Sequence, residues 1–509
     1  MMSGRDTITG LKESKDIDLE TFEGRVREEG ERLKTYLDSE TFDNRQITIG
    51  LEYEFYAVET ASGTLRRVPR SLLETLGFER ELGLHNAELT SSVYPCNHAG
   101  LTALRWETEA KIRNLQNLAA EDGISFVSDG MWTIGPANGT TESYLMEATH
   151  EEGLSLAINI SNAVRYHGFG SVTEHTPVGG RIDLPGATIR SETAGPVSLT
   201  SSIQPHVQPR RADDLPAYHN NALRVAGPLL ALAVNSPFFP PGLYDDGELT
   251  DELLLEGSHA ENRIPVYEGM MNPSEGSPKV TFPRDLDSPQ EAVDRIVADK
   301  TIVPAVIEEG PRFDDQFVHV RHKHGSFWRW VRPVFDGASE VDANARIEFR
   351  PLPGQPTLPD TIALVAAVAG SVIGLSESEH PVSSLRWDVA RENFYAAARE
   401  GVSAEMQWIT ADGERVSEID RLYDDLFSIA VAGLEKQGFD TAEATDWIAP
   451  LRDRVTTQTS PAGWKRRIVA GELESGSTPG EAIHEAQRRY LRHQAHTFYD
   501  GSLSEWPSE

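Results

Sequence analysis

The sequence predicts an α+β fold, with a mainly antiparallel sheet flanked by helices and a helical C-terminal part. Three observations carry this. Segments with two-residue alternation recur at 46–58, 87–93, 198–208 and 345–351, separated by long helical stretches. From about residue 381 onward the pattern is helical throughout. With 39% hydrophobic and 25% charged residues, the 509-residue chain has ample material for a large packed core.

Residues 1–17 are polar and read as a mobile lead-in, and 18–39 as a helix carrying Phe22, Val26, Leu33 and Leu37 among charges. The strand 46–58 reads QITIGLEYEFYAV. It puts Ile49, Leu51, Tyr53 and Phe55 on one face and Glu52, Glu54 and Tyr56 on the other. In 87–93, Glu88 and Thr90 share a face. A helix at 101–121, a Gly-rich segment through Gly139 and a helix at 144–168 follow. The Gly- and Pro-rich stretch 179–195 reads as a loop.

The strand 198–208 aligns Gln204, His206 and Gln208 on one face. An apolar helix at 222–234 ends at Asn235-Ser236-Pro237, 266–284 looks like a loop, and 288–300 is a helix capped by Ser288 with Pro289 at its first position. In 345–351, Arg346, Glu348 and Arg350 oppose Ile347 and Phe349. The apolar run 361–375 falls short of the roughly 20 residues that span a bilayer, so it is expected as a buried helix. The C-terminal helices break near Gly438, Pro461 and 475–480.

The formal charge of −33 repels phosphate backbones and anionic lipid, which makes nucleic acid and membrane poor partners. Only nine of the 47 basic residues are lysines. Excess acid with scarce Lys points to a salt-adapted cytoplasm, because at about 1 M salt the Debye length of roughly 3 Å screens self-repulsion. The start has no apolar run, so a cytoplasmic location is expected. Cys96, the single cysteine, excludes an intrachain disulfide and a Cys-based metal site, and reads as a small buried hydrophobe.

The chemistry is expected where three strands share one design. Each offers an apolar side to a core and an opposite side with Glu52 and Glu54, with His206, or with Glu348 between Arg346 and Arg350. In one sheet these groups converge. Carboxylates with one imidazole suit Mg²⁺ or Mn²⁺, and neighbouring arginines answer phosphate oxygens bidentately. An antiparallel sheet with one solvated face gives the same alternation without a site. No P-loop and no HExxH motif occurs. His319, His322 and His324 raise a zinc reading, but on a strand only two of them would share a face.

These residues, taken in order, resemble a family. GLEYEFYAVE is similar to the opening strand of the carboxylate-amine ligase and glutamate-cysteine ligase family, which has the glutamine synthetase-like fold with its curved sheet. SLTSSIQPHVQ resembles its strand with a metal-site histidine, LLALAVNSPFF a helix end, ARIEFRPLPGQPT its EFR strand and turn, and RWDVARENFYAAAREG a C-terminal helix. The likeness spans roughly residues 45 to 405.

The resemblance implies an ATP-dependent ligase joining glutamate and cysteine into γ-glutamylcysteine, in a haloarchaeal branch of the family. It implies a catalytic domain at 41–380, preceded by the lead-in and helix at 1–40 and followed by a helical region at 381–509 packed on it. By matching position, Glu52, Glu54, Glu88, His206 and Glu348 would be ligands of Mg²⁺ or Mn²⁺. Arg350 would contact the transferring phosphoryl group, Arg346 would assist nucleotide or phosphate binding, and Arg263 would bind phosphate or a substrate carboxylate. One departure stands out: Gln204 occupies the place of the first histidine of the usual His-x-His. A different amine acceptor, a scaffold without turnover and a metal-dependent hydrolase are the alternatives, and an oligomer is compatible with all of them.

Overall fold

The computed structural model describes residues 4–171, 180–272, 276–305 and 307–507. Its main sheet has seven antiparallel strands: β1 (Thr48–Glu59), β2 (Asn86–Thr90), β3 (Tyr94–Pro95), β4 (Ile124–Val127), β5 (Ile203–Gln208), β6 (Val331–Asp336) and β7 (Asn344–Phe349). They run in the order β6-β7-β5-β1-β2, with β3 and β4 pairing the two ends of the long β1, and the sheet curls into a half-barrel.

Alternation along these strands sorts the side chains. Leu51, Tyr53, Phe55, Val207, Ile347 and Phe349 are buried in one continuous core that also takes in the helices Leu215–Ala233 and Leu358–Ser376. Each such side chain contributes about 1.5–3 kcal/mol when fully buried. Leu358–Ser376 is apolar and long enough to cross a membrane, yet 94% of its apolar window is buried, as expected for a core helix. It crosses the helix Ile419–Glu435 so closely that a Cβ on Gly433 would lie 1.9 Å from the Gly370 carbonyl oxygen.

The C-terminal helices Thr441–Thr456, Pro461–Glu474 and Pro479–Thr497 begin at Asp440, Ser460 and Thr478, whose side chains cap them. They hold the turn after β4 in place. Buried Lys465 donates to Asp129 and to the Asn235 carbonyl, and Gln494 exchanges hydrogen bonds of 2.8 and 3.0 Å with the backbone of Ser128. The Ser128 hydroxyl in turn accepts from Tyr53 on β1 at 2.9 Å.

Several expectations need correction. The described part of the polar lead-in is a helix, Gly4–Asp16, because Leu11 finds a small apolar cluster with Leu154 and Leu156. The single helix expected over 144–168 is instead the helix Thr141–Met146, the hairpin Ala148–Glu151 with Leu154–Ala157, and the helix Val164–Ser171. Glu152 and Gly153, both at positive φ, make the turn that breaks it. The expected loop 179–195 is, from residue 180, a hairpin of Gly180–Leu184 and Ala187–Ser191; Gly179 lies outside the described residues. The expected loop 266–284 begins inside the helix Arg263–Met271, and its residues 273–275 lie outside the described part. The triple-histidine segment is the helix Val318–His324, not a strand. There His319 pairs with Glu29 at 2.6 Å, and His322 and His324 bond the carbonyls of Val303 and Pro333, so the three are held apart as structural groups.

Candidate active site

Strand register assembles the site. On β1, Glu52 and Glu54 project from one face; Glu54 sits across from Glu88 on β2, and Glu52 across from Gln204 on β5. His206 on β5 sits across from Glu348 on β7, which in turn sits across from Arg332 on β6. Residues more than 290 positions apart in sequence therefore share one pocket, which Glu52, Glu54, Glu88, Gln204, Arg332 and Arg350 help to line.

Two acidic groups meet here, one reaching behind the pocket wall through His206 and Glu348 and one within the pocket. In the first, Glu52, His206 and Glu348 each bring a ligand atom within 4.8 Å of the others. His206 Nε2 is 3.4 Å from Glu52 Oε1 and, though buried, makes no hydrogen bond. Burial, helped by the guanidinium of Arg346, pushes the imidazole down to about 3, so the ring is neutral. Glu348 is 2% exposed, and burial alone would raise its pKa. Arg332 at 2.8 Å and Arg350 outweigh that and hold it well below the ordinary carboxylate range. Glu52 goes the other way: burial and the charge of Glu348 push it up to about 7.

The second group is Glu54, Glu81 and Glu88, which line the pocket together. Burial raises all three; repulsion from Glu81 adds to it at Glu54, that from Glu52, Glu81 and Glu54 at Glu88, and that from Glu79 at Glu81, so that Glu54 goes to about 8 and Glu88 well above the usual range. Glu54 is positioned by Ser202, whose N–H and hydroxyl donate at 2.7 and 2.9 Å, and by Gln204 Nε2 at 3.0 Å. The Oε1 atom of Gln204 accepts from Arg350. The residue standing where a histidine was expected therefore links the second acidic group to an arginine of the first.

This donor set fits a hard divalent cation. Burial, and after it the neighbouring carboxylates, push Glu52, Glu54 and Glu88 up against the pull of the pocket's own arginines, and His206 presents an unpartnered ring nitrogen. A bound cation answers both conditions.

Of the expected arginines, Arg350 lines the pocket and pairs with Glu348. Arg263 also lines it, 4% exposed, donating to the carbonyls of Arg350 and Pro351 and sitting 3.8 Å from Glu261. Arg346 sits behind His206 instead, donating to its Nδ1 at 3.0 Å and to Asn344. Sequence reasoning missed Arg332, Glu81, Arg165 and Tyr267, all on the pocket wall. Arg332 carried a signal, since it falls in the alternating run of β6, masked by the tryptophans before it and by Pro333. Glu81 belongs to no periodic element, and Arg165 was hidden inside a helix drawn too long.

Residues 48–493 match the model of glutamate-cysteine ligase family 2. The chain belongs to that family. Its members' activity makes this glutamate-cysteine ligase family 2 protein an ATP-dependent carboxylate-amine ligase acting on small molecules. No curated protein shows significant sequence similarity to it. Among solved structures it is similar to the glutamate–cysteine ligase of Francisella tularensis in complex with AMP, at 14% identity and a TM-score of 0.51 over 89% of this chain and 90% of that one. It also aligns with a bifunctional glutathione synthetase from Pasteurella multocida, at 14% identity and a TM-score of 0.49, covering 92% of this chain but 55% of that one. The first likeness is one of fold, and the fold is glutamine synthetase-like.

Proposed function

We propose that this ligase joins the side-chain carboxylate of glutamate to the amine of cysteine through a γ-glutamyl phosphate, in a salt-rich cytoplasm. The observation that carries it is the convergence of Glu52, Glu54, Glu88, His206 and Glu348 with Arg263, Arg332 and Arg350 about one pocket. A carboxylate acylates poorly because its charge repels nucleophiles and its oxide does not leave; phosphorylation removes both faults.

In this reading Glu52, Glu54, Glu88, His206 and Glu348 would hold Mg²⁺ or Mn²⁺. Bound there, the cation would neutralise charge on the β- and γ-phosphates of ATP. Arg350 faces the equatorial oxygens of the transferring phosphoryl group, and Arg263 receives a phosphate or the α-carboxylate of glutamate. Arg332 keeps Glu348 ionised, and Arg346 adds positive field from behind His206. The neutral amine then attacks the acyl phosphate, and inorganic phosphate departs.

A different amino-acid acceptor is the second reading. Glu81 and Arg165 on the pocket wall would hold the ammonium and carboxylate of any α-amino acid. Incubation with ATP, Mg²⁺, glutamate and a panel of amines including cysteine, in molar KCl, tests both. Release of phosphate with γ-glutamylcysteine in the mass spectrum supports the first reading; phosphate release only with another amine overturns it.

A further inference from the structure

Segment 327–333 serves two cavities at once. Trp328, Trp330 and Arg332 line the active-site pocket, while Phe327, Arg329, Val331 and Pro333, alternating with them, line a separate groove of about 540 Å³ on the opposite face. The groove's floor is apolar, with Phe282, Phe327 and Val331 buried. Its rim carries Arg284 and Arg391, both exposed; Arg284 has no ion pair among the described residues, while Arg391 lies 4.7 Å from the centroid of the Tyr395 ring and acts on the Glu268 carboxylate through space, without a direct ion pair. Arg284 lies 3.5 Å from the centroid of the Trp387 ring, whose Nε1 donates to the Pro283 carbonyl, so guanidinium and indole are held as one surface.

This is unusual in a chain with 80 acidic and 47 basic residues, where carboxylates are at hand for nearly any cation. Among the described residues one carboxylate lines the groove, Asp299, and it is already engaged by Lys279 and, at 3.0 Å, by Arg329. Two guanidinium forks above an aromatic and aliphatic floor match an anion with phosphate oxygens at one end and a flat apolar body at the other.

We propose that this groove is a second ligand site, for a small aromatic phosphate ester, and that its occupancy is transmitted through the shared segment 327–333 to the active-site pocket. Val331 and Arg332 are consecutive on β6, with side chains on opposite faces, so a shift of Val331 on binding displaces Arg332 through their common peptide bond. At molar salt the long-range repulsion of a net-negative protein is screened, and the short-range contacts to Arg284 and Arg391 remain.

The test needs no turnover, so its failure is distinct from failure of the ligase reading. 1-Naphthyl phosphate is titrated against the whole protein by tryptophan fluorescence, with and without a saturating non-hydrolysable ATP analogue in the active-site pocket. Saturable quenching is expected, weakened about tenfold or more in Arg284→Gln/Arg391→Gln, with circular dichroism unchanged. The analogue's own affinity is expected to change when the ester is bound, and by the same factor in reverse. Equal affinity in the double variant, equal binding of neutral 1-naphthylmethanol, displacement by the ATP analogue, or unmoved analogue affinity would each overturn the proposal.

Discussion

The Nε–H of Arg346 donates to Nδ1 of His206 at 3.0 Å, while the other ring nitrogen faces Glu52 Oε1 at 3.4 Å. With Nδ1 accepting, the neutral ring carries its proton on Nε2, the nitrogen that a cation would need. Metal-bound imidazoles usually donate their outer N–H to an acceptor. Here a guanidinium stands in that place, so cation binding and the Arg346 contact compete.

Arg346→Gln should therefore tighten Mn²⁺ binding in the absence of nucleotide, by about fivefold or roughly 1 kcal/mol. A positive charge leaves the site and Nδ1 is freed to take a proton. Paramagnetic resonance of free Mn²⁺ reads the change directly, and an unaltered or weaker affinity contradicts the competition.

Glu52 and Glu348 should separate in stability while agreeing in activity. Either glutamine substitution is expected to cut turnover about a hundredfold or more. The folded pKa of Glu52 is raised to about 7, so above the ordinary carboxylate value its charge costs stability. Glu52→Gln should stabilise the metal-free protein at pH 8 by about 1–2 kcal/mol, a figure reduced for its 23% exposure. Glu348→Gln leaves Arg332 and Arg350 under-compensated and should destabilise by roughly 3 kcal/mol. Denaturation in EDTA and molar KCl checks both signs.

Arg350→Lys keeps the charge but loses the planar fork. Turnover should fall while the KM for glutamate stays within about twofold, because the lost contact belongs to the transferring phosphoryl group. A rise in KM with kcat intact would move Arg350 to substrate binding.

His85 is fully buried, with Nε2 at 2.9 Å from the Ser198 carbonyl and Nδ1 at 3.2 Å from the Tyr144 hydroxyl. Burial pushes it down to about 4. Its folded pKa is below the unfolded value, so between about pH 6.5 and 4 the unfolded chain binds the proton and stability falls as pH falls, by about 1.4 kcal/mol per unit for this group. His85→Gln should flatten that acid limb by one proton's worth; denaturant midpoints from pH 7 to 5 measure it, and an equally steep limb refutes it.

The charge of −33 predicts that the melting temperature climbs steeply as KCl rises from 0.1 to about 2 M. A melting temperature indifferent to KCl removes the salt-adaptation reading.

The sheet and its acidic face were legible because alternation on β1, β5 and β7 is written in single residues: Glu52-Tyr53-Glu54, Gln204-Pro205-His206 and Arg346-Ile347-Glu348 each declare two faces. What stayed hidden was held by tertiary context. The β6 strand follows Trp328-Arg329-Trp330 and contains Pro333, and its Arg332 is recognisable only once Glu348 is placed opposite. Glu81 has no periodic neighbours at all. The positive-φ pair Glu152-Gly153 shows why a helical period over 144–168 misled: a two-residue turn outweighs it.

The ties from Lys465 to Asp129 and from Gln494 to Ser128 bear on how the protein is made. Asp129 is buried without a counter-charge until Lys465 arrives, more than three hundred residues later. A nascent chain can fold its strands and helices as they emerge, but the turn that braces Tyr53 must wait for the helices Pro461–Glu474 and Pro479–Thr497 to leave the ribosome. Assembly of the ligase pocket is thus a late event of synthesis, and a chain stalled before Pro461 should be a client for chaperones rather than a slow enzyme.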